Sequence, residues 1–218
     1  MKNNKKIVAL MPIKMNNERL QGKNIKILGG KPLLRHQLDM ILTMSDISNT
    51  YVYCSNTDIK QYLPEDVVFL KRDTSLDLPT ANFSEIFESF MKKIDADIYV
   101  YVHATAPYIS KETAQECIAA VSSSQYDSAF CAVKIQDFLW KDGKTMNFDA
   151  QKLPRSQDID IIWRETSGIY VFTKESFKKT KSRIGNRPFI KNVNFKEAID
   201  INELEDFQLA ELFLEYNP

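Results

Sequence analysis

The chain has 218 residues, 44% of them hydrophobic and 27% charged, and its 29 Lys and Arg are matched by 29 Asp and Glu. That length accommodates one large domain or one domain with an excursion, and the charge balance leaves no global field to draw in nucleic acid or an acidic membrane surface. Any anion site must therefore be built locally.

In chain order, Ile7–Ile13 reads as a buried strand. The residues before it, Met-Lys-Asn-Asn-Lys-Lys, lack a small-residue cleavage pattern downstream and read as the approach to that strand rather than a signal peptide. Pro32 through Met44 carries Leu33, Leu34, Leu38, Ile41 and Leu42 at helical spacing, with Pro32 in the first turn. A second strand spans Tyr51–Cys54, followed by the helix-start cluster Ser55-Asn56-Thr57-Asp58, and Val67–Leu70 is a third. Asn82 caps a helix running to about Ile94, with Phe83, Ile86, Phe87 and Phe90 on one face. Asp97–Val102 is continuous and apolar, as central parallel strands are. A helix from Ser110 to Val121 and a strand at Ser128–Val133 complete an alternating pattern that predicts a doubly wound, mostly parallel α/β sheet.

The rhythm breaks over Gln136–Ile162, which holds Trp140, Asp142-Gly143 and Pro154 but no helical period. It reads as an excursion from a single domain covering 1–218. Strands follow at Gly168–Phe172 and Pro188–Ile190, and an amphipathic helix at Glu203–Leu214 closes the chain. The three cysteines (Cys54, Cys117, Cys131) lack CxxC spacing, so neither a disulfide framework nor a zinc site is indicated. A reducing cytoplasm is the simplest setting. No apolar stretch is long enough to span a bilayer, so a soluble protein is expected.

Four constellations could carry chemistry. The segment after the first strand is polar, runs to Asn24 and carries Lys14, Arg19 and Lys23. Cations on the loop at the C-terminal end of a first parallel strand sit where open α/β sheets bind ligands, and three of them suit a polyanion such as a triphosphate. GxGxxG and GxxxxGK[ST] are both absent, so side chains and an extended loop would hold the phosphates. Gly29-Gly30 reads as a tight turn. At the end of the fourth strand stands His103-Ala104-Thr105-Ala106-Pro107-Tyr108. His103 there could bind a carboxylate or hydroxyl, shuttle a proton, or simply bond at a strand end. The irregular region supplies Arg155 and Gln157, then Arg164, of which the arginines suit a carboxylate or phosphate. Last, Asp200 and Asn202 alternate with isoleucines, so both point to one face of an extended segment, where they could hold Mg²⁺ together with substrate phosphates. The same residues also read as a helix N-terminus that Asn202 caps, with Glu203, Glu205 and Asp206 favouring its dipole.

In this order the four pieces resemble the cytidylyltransferases that activate acidic sugars, the CMP-sialic acid synthetases and the related CMP-Kdo synthetases. The resemblance spans essentially the whole chain. Pro12, Arg19, Lys23 and Asn24, with Gly29-Gly30-Lys31-Pro32-Leu33, match the first motif, while Lys14 stands where those relatives carry arginine. Arg72 and Thr80-Ala81 resemble the segment ahead of the third helix, and Thr105 and Pro107 match a motif whose glutamine is here His103. Arg155, Gln157, Arg164 and Gly168-Ile169-Tyr170 resemble the Arg-Gln segment and the strand beyond it. Asp200-Ile201, Asp206-Phe207 and Ala210-Glu211 agree with the terminal motif, whose second aspartate is here Asn202.

The resemblance implies a Rossmann-like, glycosyltransferase-A-like nucleotidyltransferase fold and Mg²⁺-dependent transfer of CMP from CTP to an acidic sugar. It places Lys14, Arg19 and Lys23 on the triphosphate, with Pro12, Ile13, Asn24 and Thr80 on the rest of the nucleotide. His103, Thr105, Arg155, Gln157 and Arg164 fall on the acceptor side, and Asp200 with Asn202 on the metal. It also implies a homodimer in which 136–162 is a dimerisation arm. A transferase using another nucleotide or a non-sugar acceptor, a nucleotide binder without catalysis, and a structural α/β domain are the alternatives.

Overall fold

A computed structural model describes residues 5–216; the first four residues, where the segment weighed above as a signal peptide begins, and the last two lie outside the described residues. Seven strands form one sheet: β1 (Ile7–Ile13), β2 (Asn49–Cys54), β3 (Val67–Lys71), β4 (Ile98–Val102), β5 (Ser128–Ile135), β6 (Ile162–Thr173) and β7 (Pro188–Asn192). Their spatial order is β7-β5-β6-β4-β1-β2-β3. Every neighbouring pair is parallel except those of β6, which runs antiparallel to both β4 and β5. Between β1 and β4 the chain's progress across the sheet reverses direction. In an open α/β sheet that reversal leaves a crevice at the strands' C-terminal ends.

Successive side chains of each strand point to opposite faces, and the core divides accordingly. Ala9, Met11, Val52, Val100 and Val102 pack with α1 (Leu33–Leu42) and α3 (Lys111–Ser122). Val8, Leu10, Tyr53, Tyr99, Tyr101 and Phe172 pack with α2 (Phe83–Met91) and α4 (Lys174–Thr180). The doubly wound layering expected from the sequence is present. A smaller cluster seats α5 (Leu204–Tyr216) through Phe207 and Ala210 on Leu28, Leu33, Ile199 and Ile201.

The second face is aromatic, and its centre is Phe87, whose ring meets Phe177 at 4.4 Å, Tyr99 at 4.8 Å and Phe172 at 4.9 Å between centroids. Edge-to-face contact adds to area burial here. Phe87→Ala opens a cavity that three rigid rings cannot close, so urea denaturation is expected to show a loss of about 3–5 kcal/mol. A loss below about 1 kcal/mol would mean that this face of the core repacks freely.

Local chemistry accounts for most boundaries. Asn82 and Glu85 form a reciprocal capping box on α2, and Ser110 caps α3. Asn56 caps a 3₁₀ helix at Thr57–Tyr62, where the Ser-Asn-Thr-Asp cluster lies. Gly29 and Gly30 have φ of 53° and 83° and close the hairpin between Ile27–Leu28 and Lys31–Pro32.

Three features differ from the expectation. The strand predicted at Gly168–Phe172 extends back to Ile162, because Ile162–Glu165 continue the pairing with β5 beyond the core, where exposed Trp163, Arg164 and Glu165 give no apolar run to read. The excursion therefore ends before β6; it contains a short hairpin, Trp140–Lys141 with Lys144–Thr145, and a 3₁₀ turn at Ser156–Asp158. Helix α4 was not expected, because in Lys-Glu-Ser-Phe-Lys-Lys-Thr the one large apolar anchor is Phe177.

Candidate active site at the sheet reversal

The loop after β1 folds back around one carbonyl. Lys14 O accepts from Asn24 Nδ2 at 3.0 Å and from Asn17 Nδ2 at 3.1 Å. Asn24 thus spends its amide hydrogens bracing the loop that carries the cations. The Ile13 side chain is in the core, and its carbonyl accepts from Arg72 Nη2 at 2.9 Å, which leaves Ile13 only backbone to offer a ligand.

The three cations occupy different environments. Lys14 is half-buried and lies 3.6 Å from Glu18. Arg19 is exposed; its Nη2 donates to Asn202 Oδ1 at 2.7 Å, and Nη1 is 3.9 Å from Glu203. Lys23 is buried, and its Nζ donates to Ile201 O at 2.8 Å. Burial pulls the Lys23 amine below its ordinary pKa, while the Asp200 charge pulls it back up. Loop and terminal motif, 178 residues apart in sequence, are thus tied together.

Asp200 and Asn202 do alternate with buried isoleucines: Ile199 and Ile201 enter the third cluster while the polar pair stays half-buried on the other side. Ile201 N–H donates to Thr105 O at 2.8 Å, so Thr105 contributes its carbonyl to this junction. Asn202 Nδ2 donates to Asp200 Oδ2 at 2.9 Å, whereas Asp200 Oδ1 is buried with no hydrogen-bond partner among the described residues. Capping at the helix start comes from Asp206, whose Oδ2 accepts the N–H groups of Asn202 at 2.8 Å and Glu203 at 2.9 Å. Asn202 therefore does not cap α5 with its side chain, which is engaged by Arg19 and Asp200 instead.

His103 follows β4, and its N–H donates to Gly168 O at 3.2 Å across from an irregularity in β6, where the register shifts between Glu165 and Tyr170. Its ring lies 5.1 Å from that of Tyr101 and 5.9 Å from that of Tyr170, and Nε2 is buried without a partner. Burial, then the nearby Arg183 charge, pushes the imidazole pKa down to about 4. At neutral pH His103 is an uncharged hydrogen-bonding group, which disfavours both a cationic grip on a carboxylate and a proton shuttle.

The depressed pKa carries a stability signature. Between the ordinary 6.5 and about 4 the unfolded chain takes up a proton that the folded site refuses. The stability His103 contributes is complete above about pH 6.5 and is lost as pH falls toward about 4. Arg183 and Lys23 oppose its protonation, and Asp200 favours it. Thermal melts from pH 7 to 4.5 should show a steeper fall for the native chain than for His103→Gln; parallel curves would contradict this protonation state.

Two clefts open here. One, about 330 Å³, is lined by Pro12, Lys14, Arg72, Ala81, Tyr101 and His103 among others. Arg72 is buried and paired with Asp77, and its Nε has no partner. Thr80 is exposed, and its neighbours Pro79 and Ala81 rather than Thr80 itself line this cleft. The other cleft, about 300 Å³, is lined by Arg164, Phe195, Asp200, Asn202, Asp206 and Leu209 among others.

Two expected acceptor residues are not brought to either cleft. Arg155 forks onto Asp158 at 2.7 and 3.2 Å within an exposed 3₁₀ turn, and Gln157 is exposed, with its carbonyl accepting from Gln136. The structure adds Arg183, whose guanidinium lies 3.9 Å over the Tyr170 ring and bonds Glu165 at 3.1 Å. It stands in a Lys- and Ser-rich stretch after α4 that offers no motif to the reader of the sequence.

For Mg²⁺, no group of three or more His, Cys, Asp and Glu side chains comes together among the described residues. The unclaimed Asp200 Oδ1 fits a hard cation that takes its remaining ligands from phosphate and water.

A doubly wound sheet that sets a cationic loop against the acidic segment of Asp200 at its reversal point has the form of an α/β nucleotidyltransferase. The chain belongs to the cytidylyltransferase family, whose model, described as "Cytidylyltransferase", matches residues 8–215. The N-acylneuraminate cytidylyltransferase of Streptococcus agalactiae serotype III is 21% identical over 225 residues, which cover 97% of this chain and 54% of that protein. The chain thus spans about half the length of such curated relatives. The CMP-N,N'-diacetyllegionaminic acid synthase of Legionella pneumophila is 25% identical, with 97% of each chain covered. In fold, the chain is similar to a CMP:2-keto-3-deoxy-manno-octonic acid synthetase solved with CTP, at TM-score 0.73 and 14% identity over 98% of this chain and 100% of that one.

Proposed function

We propose that the protein transfers CMP from CTP to an acidic sugar of the sialic-acid or Kdo type, a 2-keto acid, with release of pyrophosphate. The observation that carries this reading is the convergence of Lys23, Arg19 and Asp200 at the sheet reversal, where Asp200 lines one cleft and the neighbouring Lys14 and His103 line the other. Kinship with enzymes named for sialic, legionaminic and Kdo acids supports the acceptor class.

In this reading the acceptor hydroxyl attacks the α-phosphorus and gives up its proton to water, the bond to the bridging oxygen of the β-phosphate breaks, and pyrophosphate leaves. Catalysis rests on positioning and charge neutralisation. Lys14, Arg19 and Lys23 hold the triphosphate. The cleft of Pro12, Arg72 and Ala81 takes the cytidine, with Thr80 at its rim and Asn24 keeping the loop in shape. Arg164 faces the acceptor carboxylate, and His103 and Thr105 stand between the two substrates as neutral hydrogen-bonding groups. Arg155 and Gln157 would act on the acceptor only from the arm of a second subunit. Mg²⁺ would be held by Asp200, and when bound it withdraws charge from the phosphates and steadies the leaving group.

The arm carries Trp140, Leu153 and Phe138 exposed to solvent, and we assign it to a homodimer contact. A cytoplasmic enzyme fits the three cysteines, which are free and buried. The nucleotide choice is tested by thermal shift with Mg²⁺. CTP should raise Tm more than GTP, UTP or ATP; a larger shift with another nucleotide would move the reading to a different nucleotidyltransferase.

A further inference from the structure

Asn202 bridges two halves of the site. Its Oδ1 accepts from Arg19 Nη2 at 2.7 Å and its Nδ2 donates to Asp200 Oδ2 at 2.9 Å. The amide has only one sensible orientation here. A guanidinium can only donate and a carboxylate can only accept, so a flipped amide would set donor against donor and acceptor against acceptor. Asn202 thus turns its NH₂, not its oxygen, toward Asp200, and its oxygen is already taken by a cation. Of the Asp200 carboxylate, Oδ1 remains unclaimed among the described residues, and the Lys23 charge acts on that carboxylate; Asp206, which lines the same cleft, has its Oδ2 committed to the N–H groups of Asn202 and Glu203. Among the described residues no group of three or more His, Cys, Asp and Glu side chains comes together, and two cations stand beside Asp200. That is a poor site for a bare divalent ion, because calcium- and magnesium-type sites gain affinity with the number of charged oxygen ligands.

We propose that Asn202 is a positioning residue, not a metal ligand: it clasps Arg19 to Asp200 so that the free enzyme has no divalent-ion site, and the cation enters only together with the nucleotide's phosphates. The metal half rests on the function proposed above; the clasp itself rests on geometry alone. Triphosphate oxygens compete with Asn202 for Arg19, and once Arg19 moves to them the amide no longer holds the loop to the terminal motif. Binding of the metal–nucleotide complex and opening of the clasp are then one event.

Mn²⁺ binding is followed by electron paramagnetic resonance on the intact protein, with and without CTP, for the native chain and Asn202→Asp. The native chain should show no saturable Mn²⁺ binding below about 1 mM without nucleotide, and Asn202→Asp, with a second carboxylate, should bind nucleotide-free Mn²⁺ roughly tenfold or more tightly. Saturable binding by the nucleotide-free native chain, or no gain in Asn202→Asp, overturns the proposal. The nucleotide-free arms do not depend on CTP recognition, and the native arm does not depend on the variant folding. Failure of CTP to bind under any condition would instead overturn the proposed function, leaving the clasp to be judged on the metal-only results.

Discussion

Asp200→Ala is expected to lower Mg²⁺-dependent turnover by about a thousandfold or more while leaving the fold intact, since charge stabilisation at a transferring phosphoryl group is among the largest single contributions to such catalysis. The structural side follows from the hydrogen bonds. Among the described residues, Asp200 Oδ2 is bonded only by the nearby Asn202 amide, and Oδ1 is buried without a partner. Removing the carboxylate therefore removes an unsatisfied buried acceptor, and Tm should change little. A further effect is electrostatic: Asp200 supports the charged form of Lys23, so the variant should depress the Lys23 pKa further. Initial rates with a melt on the same sample check this. Near-native turnover in a folded Asp200→Ala protein would remove the metal assignment.

Lys23→Met is the second large effect. Methionine matches the stem in length but cannot donate, so Ile201 O loses the Nζ bond of 2.8 Å. Leaving a buried carbonyl unpaired costs about 1–3 kcal/mol, and under the proposed function the triphosphate loses a buried cation at the same time. Catalytic efficiency should fall by about two orders of magnitude or more, as when a preorganised charge is deleted. Arg19→Ala, at an exposed site, should act mostly on KM and on its salt dependence. Equal losses for the two variants would mean that burial does not distinguish Lys23.

The strands that build the site were legible because burial on both faces writes continuous apolar runs, as in Ile7–Ile13 and Tyr99–Val102. The direction of β6 was not, since alternation carries no sign of parallel or antiparallel pairing, and its outer half is polar. Residue type and position single out the cationic loop and Asp200, and the structure brings the two segments together. That Lys23 is buried while Arg19 is exposed was not legible, because it depends on Ile201, far along the chain, closing over the loop. Spacing likewise could not tell which arginines face a cleft: Arg164 lines one, Arg155 is locally paired to Asp158, and Arg183 stacks on Tyr170 without any motif to announce it. Residue alternation did place Asp200 and Asn202 on one side. Only three-dimensional contact shows the amide facing a guanidinium and a carboxylate at once.

The central claim is cytidylyl transfer, and its most direct test is pyrophosphate release from CTP and Mg²⁺ over a panel of 2-keto sugar acids that includes sialic, legionaminic, pseudaminic and Kdo acids. The expected result is release that requires both CTP and one acceptor class, with a CMP-sugar as the second product. Tight CTP binding with no pyrophosphate from any acceptor would contradict it and leave a nucleotide-binding protein in its place.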